Sequence, residues 1–115
     1  MKNTPIIWPA ILKYDGDAEL AFIADQAAWN NDPHLHSASY VADDMLIDSQ
    51  GCIHSLANRL ESQVTPQATA CSLSLQQVIT LIKAHLSELG SCCVSKFYAS
   101  SIQQAISIVG DSHKI

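Results

Sequence analysis

Residues 74–90 read SLQQVITLIKAHLSELG, and this stretch decides the fold because it carries the clearest periodicity in the chain. Its large aliphatic residues recur at intervals of three and four positions while polar residues fill the other face, which is the pattern of an amphipathic helix. Ser74 with Gln77 has the form of a capping box, and Gly90 stands where a left-handed residue ends a helix. The sequence therefore predicts a helix from Ser74 to Leu89 that packs one face on a core.

The segment that follows repeats this pattern over fewer residues. Ser101 and Gln104 have the form of a second capping box, apolar residues follow at helical spacing, and Gly110 ends the pattern. We therefore predict a second helix over 101–109. Between the two helices, residues 91–100 contain a valine and two aromatic residues, which favour a strand.

Two hairpins are predicted on the N-terminal side of the long helix. Asp15-Gly16 is a strong turn signal between two apolar runs, and residues 48–51 form a similar turn between two others. Because proline cannot donate to a strand ladder, Pro9 predicts that the first run is an edge strand or a bulged strand. The predicted strands cover residues 6–14, 19–23, 45–47 and 52–56.

The remaining segments complete the predicted order of elements. Residues 24–30 are predicted to form a short helix that ends at Asn31-Asp32-Pro33. Residues 59–72 show no periodicity and are predicted to be a surface loop. Strands joined by tight turns are antiparallel. We therefore expect one α+β domain over residues 1–115, in which a mainly antiparallel sheet of about five strands carries two or three helices packed on one face.

Composition limits the classes of protein to which the chain can belong. Its 115 residues are 48% hydrophobic and 15% charged, which suits one domain that folds alone. The net charge of -5 opposes binding to nucleic acid, and no apolar run approaches the roughly 18 residues of a membrane span. We expect a cytoplasmic protein whose cysteines are thiols. Residues 1–48 hold eight acidic and two basic side chains, so the surface is acidic on one side.

Several short motifs are spread along nearly the whole chain. They are Trp8-Pro9 before a strand ending in Tyr14, Glu19-Leu20, Leu46-Ile47-Asp48-Ser49 with Gly51, and Cys92-Cys93 before Ser95-Lys96. Together they resemble a family of short bacterial proteins of unknown function. None of the motifs is a catalytic signature, so the resemblance implies a self-contained domain and carries no mechanism.

Two groups of side chains could carry metal or acid-base chemistry. On an extended segment His34 and His36 would project from the same side and could bind one divalent metal, with His85 or Cys93 added from elsewhere. No ligand motif completes such a set, so we predict no metal site and no cofactor. The acidic residues Asp43, Asp44 and Asp48 are predicted to serve structure, with Asp48 accepting backbone N–H bonds in its turn.

Cys92 and Cys93 are the candidate nucleophiles. His85 lies beside the apolar stripe of the long helix, only a loop away from them, and an imidazolium there would favour a thiolate. Free cysteine is more often a small buried hydrophobe, and no third residue can be named that would orient the histidine. We therefore predict that both cysteines are structural.

Three functions remain open from the sequence. We expect a non-catalytic domain that binds another protein, either through an exposed sheet edge or through a surface carrying Trp8, Trp29 and Tyr40, because aromatic side chains anchor many interfaces. The first alternative is a small thiol-dependent enzyme that uses the cysteine–histidine pair. The second is a metal-binding or small-molecule-binding module that uses the His34–His36 segment.

Overall fold

The computed structural model describes residues 5–56, 59–60, 63–90 and 97–112, and within them it contains seven strands and four helices. The strands are β1 (Ala10–Lys13), β2 (Leu20–Ile23), β3 (Met45–Ile47), β4 (Cys52–Ser55), β5 (Arg59–Leu60), β6 (Gln63–Val64) and β7 (Gln67–Ser72). The helices are α1 (Gln26–Asn31), α2 (Pro33–Ser37), α3 (Leu75–Glu88) and α4 (Ile102–Ser112). The predicted α+β class is confirmed.

Five of the strands form one antiparallel sheet in the order β2-β1-β3-β4-β7, and β5 pairs with β6 in a separate hairpin. Both predicted hairpins are present, as β1–β2 and β3–β4. In the register of the sheet Leu12 lies opposite Leu46, and Leu46 lies opposite His54. Residues in such a rung share one face of the sheet, so the rungs decide which side chains meet which helices.

The central strands bury side chains on both faces of the sheet. Ile11 and Ile47 point to the face covered by α3 and α4, where they join Val78, Ile82 and Ile106 in one core. Alternate residues of the same strands point to the opposite face, where Leu12 and Leu46 pack with side chains of α1, α2 and β6. The two long helices thus share one face as predicted, and short elements cover the other.

Helix α3 begins and ends where the sequence predicts. The Ser74 Oγ accepts a bond from the Gln77 N–H at 3.2 Å, and the Gln77 Oε1 accepts one from the Ser74 N–H at 2.9 Å, which completes the capping box. Gly90 follows the helix with a φ of 75°. Its buried stripe includes Val78, Ile82 and Leu86, which confirms the predicted face.

The prediction that Pro9 makes the first strand an edge strand or a bulged strand is wrong. Strand β1 begins at Ala10 and lies between β2 and β3. Pro9 stands just before the strand, after a cis peptide bond with Trp8, so its missing N–H removes nothing from the ladder. Its carbonyl accepts a bond from the Ser49 Oγ at 2.7 Å.

The predicted surface loop over 59–72 is also wrong, because it contains β5, β6 and β7. Most side chains of β7 are exposed, so this edge strand has no apolar alternation that could have revealed it. The strand predicted over 91–100 falls largely on residues 91–96, which lie outside the described residues, and residues 97–100 form no strand.

Two helix boundaries differ from the sequence prediction. Helix α4 continues through Gly110, which was predicted to end it; the glycine lies against the ring of Phe22 and leaves no room for a side chain. The chain after Asp32 forms α2 rather than the extended segment considered for His34 and His36. Pro33 suits the first turn of a helix, and the Asp32 carboxylate caps it by accepting the His34 N–H at 3.0 Å.

Candidate functional site

The face of the sheet that carries α3 and α4 is left open at one end, where it forms a cleft of about 350 Å³. Lys13, Met45 and Ser55 lie side by side there on β1, β3 and β4, because they occupy one rung of the register. Ile53 adds an apolar side chain on the same face. The remaining lining residues come from β7 and from the loops at this end of the sheet, namely Asp15, Ala42, Asp43, Asp44, Thr69 and Cys71.

A bulge in β7 shapes one wall of this cleft. Between the pairs Cys52–Ser72 and His54–Ala68, β4 contributes one residue and β7 contributes three. The Thr69 hydroxyl donates to the Ile53 carbonyl at 2.9 Å and accepts the Cys71 N–H at 3.1 Å, which satisfies backbone groups that the irregular ladder leaves unpaired. The bulge places the side chains of Thr69 and Cys71 on the cleft.

The rim of the cleft is held by a buried carboxylate. Asp44 accepts the Asp15 N–H at 2.6 Å with one oxygen and the Val41 N–H at 2.9 Å with the other, so it joins the loops that follow β1 and precede β3. The exposed carboxylates of Asp15 and Asp43 make no hydrogen bond or ion pair with any residue that the structure describes. The rim therefore carries two acidic groups without a partner in the described chain.

Lys13 does not neutralise these acidic groups directly. Its ammonium donates to the carbonyl oxygens of Tyr14 at 3.3 Å and Asp17 at 3.1 Å, within the turn that follows β1. Met45 also lines a second groove of about 270 Å³ along the flank of α3, together with Leu73, Gln77, Thr80 and Leu81. The cleft thus continues as an apolar surface beside the helix.

Trp29 does not lie on the surface, contrary to its selection as an interaction candidate. Its side chain is 1% exposed, and the indole N–H donates to the Val64 carbonyl at 3.1 Å. The ring also meets the His36 ring edge-on, with centroids 5.5 Å apart. Trp29 fills the core between α1 and the sheet, because a large aromatic side chain with one satisfied donor is well suited to burial.

The other two aromatic candidates are half-buried and lie at opposite ends of β1. Trp8 precedes Pro9 at the start of the strand and packs on the core beneath α1 and α2. Tyr40 stacks on Tyr14, just beyond the end of the strand, with ring centroids 6.0 Å apart. Its hydroxyl donates to the Leu35 carbonyl at 2.7 Å. The three aromatic residues thus form no single surface, and only Tyr40 adjoins the rim of the cleft.

His34 and His36 do not form the pair that an extended segment would have made. In α2, His34 is exposed while His36 is buried. The His36 Nδ1 accepts the Val64 N–H at 3.1 Å, so the Nε2 carries the proton and donates to the Trp29 carbonyl at 2.9 Å. Both ring nitrogens are therefore used by the backbone. No group of three or more metal-binding side chains occurs among the described residues.

His85 is completely buried, and it joins α3 to the sheet. Its Nδ1 accepts the backbone N–H of Leu20 at 2.9 Å, across 65 positions of sequence. A ring nitrogen that accepts this bond is unprotonated. Cys92 and Cys93 lie outside the described residues, so the predicted structural role of these cysteines stays a prediction.

Asp48 accepts backbone N–H bonds in its turn, as predicted, and also pairs with a buried histidine. One oxygen accepts the N–H groups of Gln50 at 2.9 Å and Cys52 at 3.0 Å. The other accepts the N–H of Ile7 at 3.3 Å and the Nε2–H of His54 at 3.1 Å. The Nδ1 of His54 has no partner among the described residues. Neither side chain of the pair lines the cleft, so the geometry gives the pair a structural role.

The cleft was not predicted, although several of its residues lie in predicted strands. Met45, Ile53 and Ser55 belong to the second predicted hairpin, but their exposure depends on where α3 crosses the sheet, which no local pattern records. Thr69 and Cys71 lie in the segment predicted to be a loop. The turn signal at Asp15-Gly16 and the acidic pair Asp43-Asp44 were the local indications of the rim.

Comparisons with known proteins place the chain in a family and identify its fold. The family model DUF4144, described as protein structure with unknown function, matches residues 8–109. The NMR structure of a protein from Shewanella amazonensis is 29% identical, with a TM-score of 0.68, and the match covers 96% of this chain and 93% of the other. None of the curated proteins matches the chain. No described helix is long and apolar enough to cross a membrane. Because the family model spans most of its length, the chain belongs to the DUF4144 family.

Proposed function

We propose that the protein is a non-catalytic interaction domain that binds an extended segment of a partner protein in the cleft beside β7. The observation that carries this proposal is the open end of the sheet, where Met45 and Ile53 provide an apolar floor next to an edge strand. Clefts that combine apolar area with a few polar groups are the usual binding sites of proteins. We also propose that the protein acts in the cytoplasm, where an exposed thiol such as that of Cys71 stays reduced.

The edge strand supports a segment in extended conformation. Among the described residues strand β7 pairs only with β4, and its sequence QATACS contains no charged residue and no proline that would block pairing on its other side. Edge strands of this kind bind extended segments by adding a strand, while neighbouring pockets select side chains. Because the bulge at 69–71 bends β7, we expect pairing over the Gln67–Ala68 end rather than along the whole strand.

The lining of the cleft supports binding rather than catalysis. Its volume of about 350 Å³ lies near the lower limit of about 300 Å³ for ligand sites, which suits one or two side chains better than a whole substrate. None of the described lining residues is a histidine, so the Cys71 thiol has no adjacent imidazole to activate it. The Thr69 hydroxyl is engaged in the bulge.

The proposal is tested by selecting peptides from a random library displayed on phage, with the full chain as the target. A selected peptide is then titrated into isotope-labelled protein, and changes in amide chemical shifts are mapped by NMR. We expect the largest changes along β7 and at Met45 and Ile53, the strand and the floor that border the cleft.

Two variants of the exposed Cys71 provide the matched control. Cys71→Phe fills the cleft and should abolish binding, whereas Cys71→Ser keeps its volume and should leave binding unchanged. If Cys71→Phe binds as well as the parent, the cleft is not the site. If Cys71→Ser loses binding to the same extent, the thiol itself is required, and the shape of the cleft does not explain binding as this proposal states.

A further inference from the structure

We infer that the cleft recognises a basic side chain, lysine or arginine, on the part of the partner segment that leaves β7 and crosses the cleft. A residue paired with β7 itself would lie three or more strand spacings from Asp43 and Asp15. This inference rests on the proposed function, because it names the chemistry of the residue that occupies the same cleft. It follows from the charges on the rim and from the apolar floor beneath them.

The charged groups that line the cleft are three carboxylates and one ammonium, so its charge is acidic overall. Asp15 and Asp43 are exposed carboxylates with no hydrogen bond or ion pair in the described chain. Both carboxylate oxygens of Asp44 accept bonds from backbone N–H groups. The Lys13 ammonium donates to two carbonyl oxygens of the β1–β2 turn. A cation entering the cleft therefore meets two available carboxylates, while an anion meets repulsion.

The floor suits the stem of such a side chain. Met45 and Ile53 present apolar atoms below the carboxylates, with Ala42 on the same lining. Lysine and arginine bury their methylene stems along apolar surface while the charged end stays at the water boundary. A shorter or purely apolar side chain would use the floor alone and would leave the rim without a partner. The basic side chains use both parts of the cleft.

The expected gain from the rim is modest, because the two carboxylates are exposed to water. Exposed ion pairs contribute little to affinity, and they act mainly on the choice of partner and on the rate of association. We expect Asp15→Asn or Asp43→Asn to weaken binding by about two- to fivefold each. Both changes keep the size of the side chain, and neither carboxylate holds a described contact, so the fold should be unaffected.

The experiment begins with the peptides selected from the random phage library. Those that map to the cleft are synthesised with the basic residue retained, replaced by methionine, or replaced by glutamate, and each dissociation constant is measured by fluorescence anisotropy. We expect the selected peptides to be enriched in lysine or arginine. Replacing this residue by methionine should lower the affinity, and replacing it by glutamate should lower it further. The affinity of the Asp43→Asn protein should depend less on salt concentration than that of the parent. Glu88→Gln, at the exposed end of α3, makes the same change in net charge away from the cleft and should leave affinity unchanged.

Each other outcome rejects a defined part of the reasoning. Peptides that map to the cleft but tolerate methionine and are unaffected by Asp15→Asn and Asp43→Asn reject the basic side chain and leave the proposed function standing. Equal weakening by Glu88→Gln shows that overall charge, and not the rim, attracts the peptide. Selection that yields no peptide mapping to the cleft rejects the proposed function itself. Spermidine is titrated in the same way as the peptide. If it shifts the same amide signals and binds as tightly as the peptide, the rim binds a small free cation instead.

Discussion

Replacing Gly110 with alanine should destabilise the protein, although this substitution inside a helix normally does the opposite. Gly110 lies within α4, and alanine is favoured over glycine in helix interiors by about 0.5–1 kcal/mol. The structure adds an opposing effect. A Cβ at this position would lie 2.9 Å from the Cε1, Cε2 and Cζ atoms of Phe22 on β2.

The size of the opposing effect follows from this distance. Carbon atoms pack best at about 3.5–4.0 Å, so the ring would have to withdraw by roughly 0.6 Å or more from a place where it packs on the core. Overpacking of this kind costs about 1–3 kcal/mol. After subtraction of the gain in helix propensity, we expect Gly110→Ala to lower the free energy of unfolding by about 1 kcal/mol, with an upper limit of about 2.5 kcal/mol.

Urea unfolding followed by tryptophan fluorescence measures this effect, because Trp29 is buried in the folded state. The matched control is the same substitution in a Phe22→Leu background, since leucine lacks the three ring atoms that the methyl group meets. There Gly110→Ala should stabilise by about 0.5–1 kcal/mol. A Gly110→Ala protein at least as stable as the parent, or an equal effect in both backgrounds, would refute the close contact between α4 and β2.

Three further experiments test the fold. Ile82→Ala should cost about 2–5 kcal/mol because Ile82 is fully buried on α3, whereas Lys83→Ala should cost less than about 0.5 kcal/mol; equal urea midpoints would contradict the assigned face. Gly51→Ala should cost about 3 kcal/mol, because the φ of Gly51 is +84° and a Cβ there would collide with a backbone carbonyl. Gly16→Ala is the control: its φ is +80° but the space around it is open, so it should cost only about 1–2 kcal/mol. Similar melting temperatures of the two variants would argue against the collision at Gly51. Asp48→Ala should cost about 3–5 kcal/mol in urea unfolding because it leaves His54 and three backbone N–H groups without their acceptor, and a loss below about 1 kcal/mol would show that these bonds are not structural.

The elements that could be predicted from sequence are those specified by their own residues. Helix α3 carries its cap, its stripe and its terminating glycine within 17 consecutive positions, and both hairpins carry their turn residues. Strand β7 could not be recognised, because an exposed edge strand needs no apolar alternation. The sequence pattern predicts too early an end for α4, because a glycine such as Gly110 commonly terminates a helix. The structure shows that a glycine is needed there for the close contact with Phe22, which joins distant parts of the chain.

The candidate site was much less predictable than the fold. Aromatic content drew attention to Trp29, yet burial of its indole against Val64 could not be inferred from one-dimensional spacing. The cleft is assembled from the end of β1, from β3, β4 and β7, and from the loop at 42–44. Its existence depends on how far α3 extends across the sheet, and that is a property of packing rather than of any motif.

The contact between Asp48 and the segment before β1 bears on how the molecule opens. The Ile7 N–H donates to the Asp48 carboxylate at 3.3 Å, and the Ile7 carbonyl accepts the Ser49 N–H at 2.8 Å, although the Ile7 side chain is 39% exposed. These bonds break only when the β3–β4 turn releases the segment, so the two regions form one cooperative unit. Hydrogen exchange at the Ile7 amide therefore reports the opening of the β3–β4 turn, and not independent fraying of the segment before β1.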